Sequence, residues 1–371
     1  MSDEVVVVGG GLIGTAIARG IAERGARVTL VDDGRAGTAS PVAAGMLAPA
    51  TEIAPTEIGL LQLNLASLER YPEFVEELSG ATGLPVGLRR SATVSVAADT
   101  DDVARLDDLA EILAGCGLSA ERCTGRQVRR RVPLLAPRIR AGLVIERDWS
   151  VDNRLLWAAL RVAAEGSGVV HHHGTVTELV VEDGRCAGVV MADHTRLPAD
   201  TVVWAAGAWA GEVVGFDLPI RPVKGQVVRL RAHDLPIPEV TVRAFVRGFE
   251  VYLVPRESGE LVIGATVEDR GFDTSATAGG VHDLLRDART VLPITAEYEF
   301  AEVSVGFRPA SADHSPILGP SPIDGLVLAV GHHRNGVLLT PITAELITDL
   351  VVDGTWPQLG ASFNPYPESE R

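Results

Sequence analysis

The sequence is poor in lysine and cysteine, and both scarcities exclude classes of chemistry. Lys224 is the only lysine among 371 residues, and Gly225 follows it. A P-loop needs Gly-Lys followed by Ser or Thr, so the sequence excludes that phosphate site, and Schiff-base chemistry would rest on this one side chain. The three cysteines, Cys116, Cys123 and Cys186, show neither metal-ligand nor redox-pair spacing, which predicts buried thiols in a reducing compartment.

Positive charge and long apolar runs are also scarce. The 33 Lys and Arg residues face 49 Asp and Glu residues, and the formal net charge of −16 disfavours nucleic acid and anionic membranes as partners. No stretch approaches the ~20 apolar residues of a membrane span, and the acidic start does not fit a secretory signal, so we expect a cytoplasmic protein. With 46% hydrophobic and 22% charged residues, the composition is that of a folded chain, and its length suggests two subdomains.

The N-terminal segment has a strand–turn–helix–strand pattern. Val5 to Val8 is a β-branched run typical of a central parallel strand, and the glycine-rich turn from Gly9 to Gly14 follows at once. Residues 15–24 then have the apolar spacing of a helix, and Arg27 to Val31 that of a second strand. In this context the GxGxxG pattern predicts a dinucleotide site rather than an ordinary turn.

Each glycine of this turn has a physical role in dinucleotide binding. Gly9 permits the tight turn, Gly11 lets the backbone approach the pyrophosphate, and Gly14 lets the helix pack on the strand. The helix N-terminus carries unpaired N–H groups and partial positive charge, which suit a diphosphate. Asp32 lies near the position, ~20 residues beyond the last glycine, of an acid that binds ribose hydroxyls. The motif leaves FAD and NAD as alternatives.

Two further segments bear on that choice. Residues 38–49 are a run of small side chains that lets backbone approach a bulky flat ligand, although a flexible loop has the same composition. Residues 331–341 follow a strand-like run and precede an apparent helix that extends to Leu350. The N-terminus of that helix would face the ligand, and its dipole suits the negative charge that a reduced flavin gathers.

With the fingerprint, these segments resemble the D-amino-acid-oxidase-like flavoproteins and, within them, the glycine oxidases of the thiamine pathway. The matching motifs occur in the family's order and span almost the whole chain. They are Ala43–Pro49, Pro222–Gln226, Tyr252–Arg256, Gly264–Thr266, Gly306–Pro309 and Gly331–Gly336.

The resemblance implies an α/β fold with a Rossmann-like FAD-binding domain and a discontinuous second domain for the substrate. The FAD-binding domain would comprise residues 1–85, 145–220 and 305–371. The substrate-binding domain would comprise residues 86–144 and 221–304, and strand-like stretches after residue 221 predict a mostly antiparallel sheet there.

The resemblance also implies which residues contact FAD. They are Gly9, Gly11, Leu12, Ile13, Gly14, Asp32, Asp33, Ala39, Ser40, Ala44, Gly45, Met46, Val176, Gly207, Gly331, His332, His333, Arg334, Asn335, Gly336, Val337 and Leu338. The FAD would be bound without a covalent link, because a link of the sarcosine-oxidase type needs a cysteine near Arg308 and the sequence has none there.

Amine oxidation mainly requires that the protein hold the substrate's α-carbon over the flavin. A planar guanidinium holds a carboxylate best, through two parallel hydrogen bonds, and Arg308 matches the family's carboxylate-binding arginine. In the resemblance Tyr252 donates its hydroxyl to the same carboxylate, and Arg334 lies beside both cofactor and substrate. These three are the predicted catalytic and substrate-binding residues.

The remaining patterns predict helices and argue against a metal site. Apolar residues at helical spacing predict helices over 55–78, 101–113 and 152–165. His171, His172 and His173 fall in a probable strand, where consecutive side chains alternate between faces. The three imidazoles cannot converge on one ion, so we predict no metal.

The combined prediction is FAD-dependent oxidation of glycine and other small amines or amino acids. The products would be the imine or glyoxylate, ammonia and hydrogen peroxide, with the imine used for the thiazole of thiamine. The alternatives of the same fold are a D-amino-acid oxidase or dehydrogenase and a sarcosine-type oxidase, and a non-catalytic flavin-binding protein is a further one. The predicted partners are a small amino acid and molecular oxygen, with a homotetramer by analogy with the family.

Overall fold

The computed structural model of the protein describes residues 3–53, 55–213 and 215–366. Within these ranges the strands, in chain order, are β1 Glu4–Val8, β2 Arg27–Asp32, β3 Met46–Leu47, β4 Thr93–Ala97, β5 Glu121–Thr124, β6 Ala141–Ile145, β7 Trp149–Ser150, β8 Val170–His173, β9 Val176–Glu182, β10 Arg185–Met191, β11 Arg196–Pro198, β12 Thr201–Trp204, β13 Arg221–Arg231, β14 Thr241–Val246, β15 Phe249–Pro255, β16 Glu260–Gly264, β17 Glu299–Ala310, β18 Ile317–Pro320 and β19 Leu326–Val330.

The same ranges contain α-helices and short 3-10 helices. The α-helices are α1 Leu12–Glu23, α2 Ala39–Val42, α3 Leu61–Thr82, α4 Thr100–Gly115, α5 Gly125–Arg131, α6 Asn153–Gly166, α7 Ala278–Val291, α8 Thr340–Asp353 and α9 Gln358–Ala361. The 3-10 helices span Pro55–Leu60, Gly207–Glu212, Pro293–Glu297 and His333–Asn335. Among the described residues, none of these helices has the length and apolar character needed to cross a bilayer.

A mostly parallel sheet of six strands contains the N-terminal motif. Its strand order is β18-β19-β12-β1-β2-β8, and only the β18–β19 pair is antiparallel. The valines of β1 are buried, because helices α1, α6 and α8 cover one face and the three-stranded sheet β9–β11 lies towards the other. Strand order reverses beside β1, so its carboxyl end opens where α/β sheets bind ligands.

An eight-stranded sheet forms the second layer of the molecule. Its order is β17-β13-β16-β15-β14-β4-β6-β5, and every neighbouring pair is antiparallel except β14–β4. Helix α7 packs its apolar side against this sheet. The predicted α/β fold with a mostly antiparallel second sheet is confirmed.

The predicted domain boundaries stay a prediction, and we compare them here with the strands that make up each sheet. Strands of the six-stranded sheet all lie in the ranges assigned to the FAD-binding domain. In the eight-stranded sheet, β6 reaches residue 145 and β17 crosses residue 305. Strand β17 therefore connects the two predicted domains, with Phe307 donating its N–H to the carbonyl oxygen of Gly37 at 2.9 Å.

Two local expectations differ from the structure. The continuous helix predicted over 55–78 begins as a 3-10 turn, because Glu57 has a non-helical backbone (φ −118°), and α3 then continues to Thr82. The helices predicted over 101–113 and 152–165 correspond to α4 and α6. Cys123 and Cys186 are buried as expected, whereas the prediction for Cys116 was wrong because it is only half-buried at the end of α4.

Candidate functional site

One elongated cavity of about 1030 Å³ is lined by residues of both large sheets. Its volume lies at the upper limit of the ~300–1,000 Å³ typical of small-molecule sites. The predicted site residues on its wall are Gly9, Gly11, Leu12, Ile13, Gly14, Asp32, Asp33, Ala39, Ser40, Ala44, Gly45, Met46, Val176, Gly207, Tyr252, Arg308, His332, His333, Arg334, Gly336 and Val337.

The glycine-rich turn has the close contacts that its spacing predicts. Gly9 has φ +109°, and a Cβ on Gly14 would overlap the carbonyl oxygen of Gly9. Gly11 is the N-cap residue of α1 and has no side chain to cap the helix. The partial positive charge of the helix N-terminus therefore faces the cavity. Beside this helix N-terminus, Ser40 Oγ accepts the Leu12 N–H at 2.9 Å.

The two acidic residues after β2 lie at one end of the cavity. Asp32 accepts the N–H of Gly10 at 2.6 Å and of Gly34 at 2.8 Å, one on each carboxylate oxygen. Each oxygen can accept further hydrogen bonds, so Asp32 remains available to hydroxyl groups. Burial raises the pKa of Asp33, but hydrogen bonds from Arg35 and Thr175 outweigh burial and hold that pKa below its usual value.

The small-residue segment is braced from behind by an arginine that the sequence did not single out. Arg256 is 3% exposed, and its guanidinium donates to the carbonyl oxygens of Val151 at 2.8 Å and Ala44 at 2.7 Å. Gly45 has φ +69°, and a Cβ there would overlap the carbonyl of Val151. The segment is therefore a fixed wall that a flat ligand can approach closely, rather than a flexible loop.

The predicted carboxylate-binding residues meet at the other end of the cavity. Arg308 is half-buried on β17 and donates to the carbonyl oxygen of Thr266 at 3.2 Å. Tyr252 on β15 is its neighbour, and burial raises the pKa of the Tyr252 hydroxyl even though the Arg308 charge lowers it. The hydroxyl therefore stays protonated at neutral pH and can donate a hydrogen bond.

Two glycines make room for this pair, a role that no pattern in the sequence indicates. A Cβ on Gly225 would lie 2.6 Å from Arg308 Nη1, and a Cβ on Gly264 would overlap the ring and hydroxyl of Tyr252. Arg308 and Tyr252 thus lie flat over bare backbone of β13 and β16. Lys224 is fully buried next to Gly225. Its Nζ donates to Asp273 Oδ2 at 2.8 Å and so holds the segment after β16 against β13.

Replacing Gly225 by alanine is expected to move the Arg308 guanidinium without unfolding the protein, because the obstructed atom is the far end of a flexible side chain. We expect the dissociation constant of acetate, measured by its effect on the flavin spectrum, to rise about tenfold, the equivalent of one ~1.4 kcal/mol charge-assisted contact. The bound FAD content should not change. An unchanged acetate affinity would show that the guanidinium does not depend on this space.

Arg334 lies in a cluster of charged and titratable groups. Its guanidinium pairs with Glu57 and donates to the carbonyl oxygen of Glu52 at 2.8 Å. Glu57 also contacts His314 Nδ1 at 2.9 Å, and the His314 and His333 rings lie 4.1 Å apart. Glu57 is buried because the non-helical turn at its position directs the chain inward, which helical spacing could not predict.

The two histidines of the C-terminal turn are neutral. Burial lowers the pKa of His332 and of His333 to about 3. His332 Nε2 contacts Thr343 Oγ1 at 3.1 Å. Neither imidazole therefore adds positive charge to this end of the cavity at neutral pH.

Three predicted cofactor contacts do not lie on the cavity wall. Leu338 is 2% exposed and packs in the core with α1 and α8. Asn335 is buried and donates its N–H to the His332 carbonyl oxygen at 2.9 Å. Gly331 (φ +76°) faces Ile220 and the carbonyl oxygen of Ser315. The prediction took the whole turn as lining, whereas these three positions face the protein interior and the residues between them line the cavity.

The wall fits an FAD along its full length. The helix N-terminus suits a pyrophosphate, Asp32 suits ribose hydroxyls, and the fixed small-residue wall suits a flat ring. None of Cys116, Cys123 and Cys186 lines the cavity. Among the described residues, no group of three or more His, Cys, Asp and Glu side chains could hold a metal ion.

Fold and cavity together define a Rossmann-type flavoprotein whose FAD site continues into a space lined by Arg308 and Tyr252. The chain belongs to the DAO family of FAD-dependent oxidoreductases, whose model matches residues 4–350. The family resemblance and the FAD cofactor are therefore confirmed.

Three relatives illustrate the likeness. Glycine oxidase of Geobacillus kaustophilus is 35% identical over 94% of this chain and 92% of its own length, and its crystal structure superposes with a TM-score of 0.88 at 33% identity, covering 98% of both chains. An iminodiacetate oxidase structure from a Chelativorans species has a TM-score of 0.88 at 28% identity, over 97% of this chain and 98% of that one. The bifunctional protein ThiO/ThiG of a Synechocystis species is 35% identical over 98% of this chain but 54% of its own length. The chain thus spans about half the length of the bifunctional relatives it matches.

Proposed function

We propose that the protein is an FAD-dependent oxidase of glycine and other small amino acids. The observation that carries this proposal is the position of Arg308 and Tyr252 at the end of the same cavity that begins at the glycine-rich turn. Similarity to glycine oxidases over almost the whole chain supports it. Glycine, oxygen and water would give glyoxylate, ammonia and hydrogen peroxide, with the imine as the first product.

In this proposal the chain binds and orients the substrate. When bound, FAD supplies the two-electron acceptor for the substrate's α-carbon. Arg308 binds the substrate carboxylate, and Tyr252 donates its hydroxyl to the same group. His332 and His333 are neutral and have pKa values of about 3, too low for an effective base near pH 7, so the amine would react in its deprotonated form.

Anaerobic addition of glycine to the purified yellow protein tests the proposal. We expect the flavin band to bleach, and readmitted air should release hydrogen peroxide and glyoxylate in equal amounts. Bleaching by D-alanine or D-proline but not by glycine would favour a D-amino-acid oxidase, and a preference for sarcosine would favour an N-methyl amine oxidase. A flavin that none of them bleaches would show a non-catalytic binding protein.

The biological setting belongs to the same proposal. Resemblance to the glycine oxidases of the thiamine pathway supports use of the imine for the thiamine thiazole in the cytoplasm. A homotetramer is expected by analogy with the family, and light scattering of the purified protein would test it.

A further inference from the structure

A charged cluster lies beside the predicted substrate site and has no role in the proposed reaction. It consists of Arg243, Glu52 and Glu250, and we call it the acidic wall. Arg243 on β14 is the cross-strand partner of Tyr252 on β15, so the two side chains stand next to each other on one face of the sheet. Glu250 lies two residues before Tyr252 on the same strand and therefore on the same face.

The three side chains are held in fixed positions. Arg243 is 8% exposed, and it donates to Glu52 Oε1 at 3.0 Å and to Glu250 Oε2 at 2.7 Å. Buried Asp148 fixes the segment before Glu52 by accepting the N–H groups of Ala50 at 3.0 Å and Thr51 at 2.8 Å. All three members of the acidic wall line the same cavity as Tyr252 and Arg308.

The acidic wall carries one positive and two negative charges, so its net charge is negative. Arg334 lies close by, with its Nε 4.0 Å from Glu52 Oε2, but its guanidinium also pairs with Glu57. The carboxylates of Glu52, Glu57 and Glu250 therefore still outnumber the guanidiniums of Arg243 and Arg334 by one. Arg105 also lines the cavity, but its side chain is exposed, binds the carbonyl oxygen of Gly248, and is screened by water. Glu52 is the less exposed member, with its side chain 12% exposed, while that of Glu250 is 60% exposed.

The cavity is thus positive where Arg308 lies and negative beyond Tyr252. Substrate atoms that extend from a carboxylate on Arg308 past Tyr252 would reach the acidic wall. A cationic group is attracted there and a neutral group is not repelled, whereas a second anionic group is repelled by two carboxylates. Discrimination by repulsion is a common source of specificity.

We propose that Glu52 and Glu250, held by Arg243, restrict the substrate to amino acids with one anionic group and disfavour those that carry a second one on the nitrogen. The inference rests on the proposed function for its kinetic test only. Iminodiacetate is the natural probe, because it is glycine with a carboxymethyl group on the nitrogen, and sarcosine is the matched probe with a neutral methyl group.

The kinetic test compares kcat/KM for sarcosine and iminodiacetate in three variants. In the unmodified enzyme we expect sarcosine to be favoured by about 100-fold or more. Glu52→Gln keeps an oxygen for Arg243 but removes the charge, and should narrow that ratio about tenfold. Glu250→Gln should narrow it about threefold, because water screens the more exposed carboxylate. Glu345→Gln, which alters an ion pair with Arg70 away from the cavity, should leave the ratio unchanged.

A binding test separates this inference from the proposed function. Acetate and malonate differ by one carboxylate, and neither is an amine, so their dissociation constants can be measured from shifts of the flavin spectrum in the full-length holoenzyme. We expect acetate to bind at least about tenfold more tightly than malonate, with the difference reduced in Glu52→Gln.

The outcomes are distinct. If glycine is not oxidised but the acetate preference exists and shrinks in Glu52→Gln, the proposed function fails and the acidic wall stands. The role of the acidic wall is refuted if the enzyme oxidises glycine but has the same kcat/KM for sarcosine and iminodiacetate. It is also refuted if Glu52→Gln and Glu250→Gln both keep the kcat/KM ratio of the unmodified enzyme.

Discussion

Replacing Arg308 by glutamine is expected to raise the KM for glycine about 30- to 700-fold while leaving FAD bound. Within the part of the chain that the structure describes, the Arg308 guanidinium has no carboxylate partner. It donates to the carbonyl oxygens of Thr266 and, more weakly, Lys224, and lies beside the Tyr252 hydroxyl. Loss of a two-hydrogen-bond contact to a carboxylate costs about 2–4 kcal/mol, and each 1.4 kcal/mol is a factor of about ten in affinity. Steady-state kinetics with peroxide detection would measure the change.

The increase in KM is expected only for an arginine that lines the cavity. An arginine elsewhere on the same sheet is therefore a matched control. Arg231 lies on β13 of the same sheet, is half-exposed and pairs only loosely with Glu299 at 3.8 Å. Arg231→Gln should leave KM and the flavin spectrum unchanged. If Arg308→Gln behaves like Arg231→Gln, another group binds the substrate carboxylate and the proposed orientation of the substrate is wrong.

Residue spacing alone pointed to the cofactor half of the site, whereas the substrate half depended on the family resemblance. The glycine-rich turn, its strand and its helix are contiguous, so local spacing contains most of the information about how they pack. Asp32 ends β2 in the same unit, near the spacing from the last glycine that the motif predicts. The substrate half is assembled from β13, β15, β16 and β17 across the eight-stranded sheet, and only the family resemblance pointed to Tyr252 and Arg308.

The acidic residues of the site were missed for a related reason. Glu52 and Glu57 lie in a polar-looking segment after the small residues, where a solvated carboxylate is the usual expectation. Glu52 is half-buried and Glu57 is buried, and their partners Arg243 and Arg334 are 191 and 277 residues away along the chain. Likewise, the roles of Gly225 and Gly264 appear only when Arg308 and Tyr252 are seen lying over them. No periodicity in one sequence encodes such pairings.

Replacing Gly14 by alanine is expected to have the largest effect on cofactor binding. The added Cβ would overlap the carbonyl oxygen of Gly9, a backbone atom that cannot rotate away, and would also meet the Cβ of Ala205 at 3.3 Å. Helix α1 must then move away from β1, which takes its N-terminus away from the pyrophosphate position. Overpacking of this kind costs about 1–3 kcal/mol, and we expect FAD affinity to fall about 10- to 100-fold.

Fluorimetric titration of the apoprotein with FAD would measure this loss, and thermal unfolding would record the accompanying drop in stability. Gly80→Ala is the matched control, because Gly80 lies in α3 and a Cβ there meets open space. That substitution should leave FAD affinity unchanged and stabilise the protein by about 0.5–1 kcal/mol, since alanine favours a helix over glycine. The two alanines should therefore shift stability in opposite directions. A Gly14→Ala protein that binds FAD as tightly as the unmodified chain would mean that close contact between turn and helix does not position the cofactor.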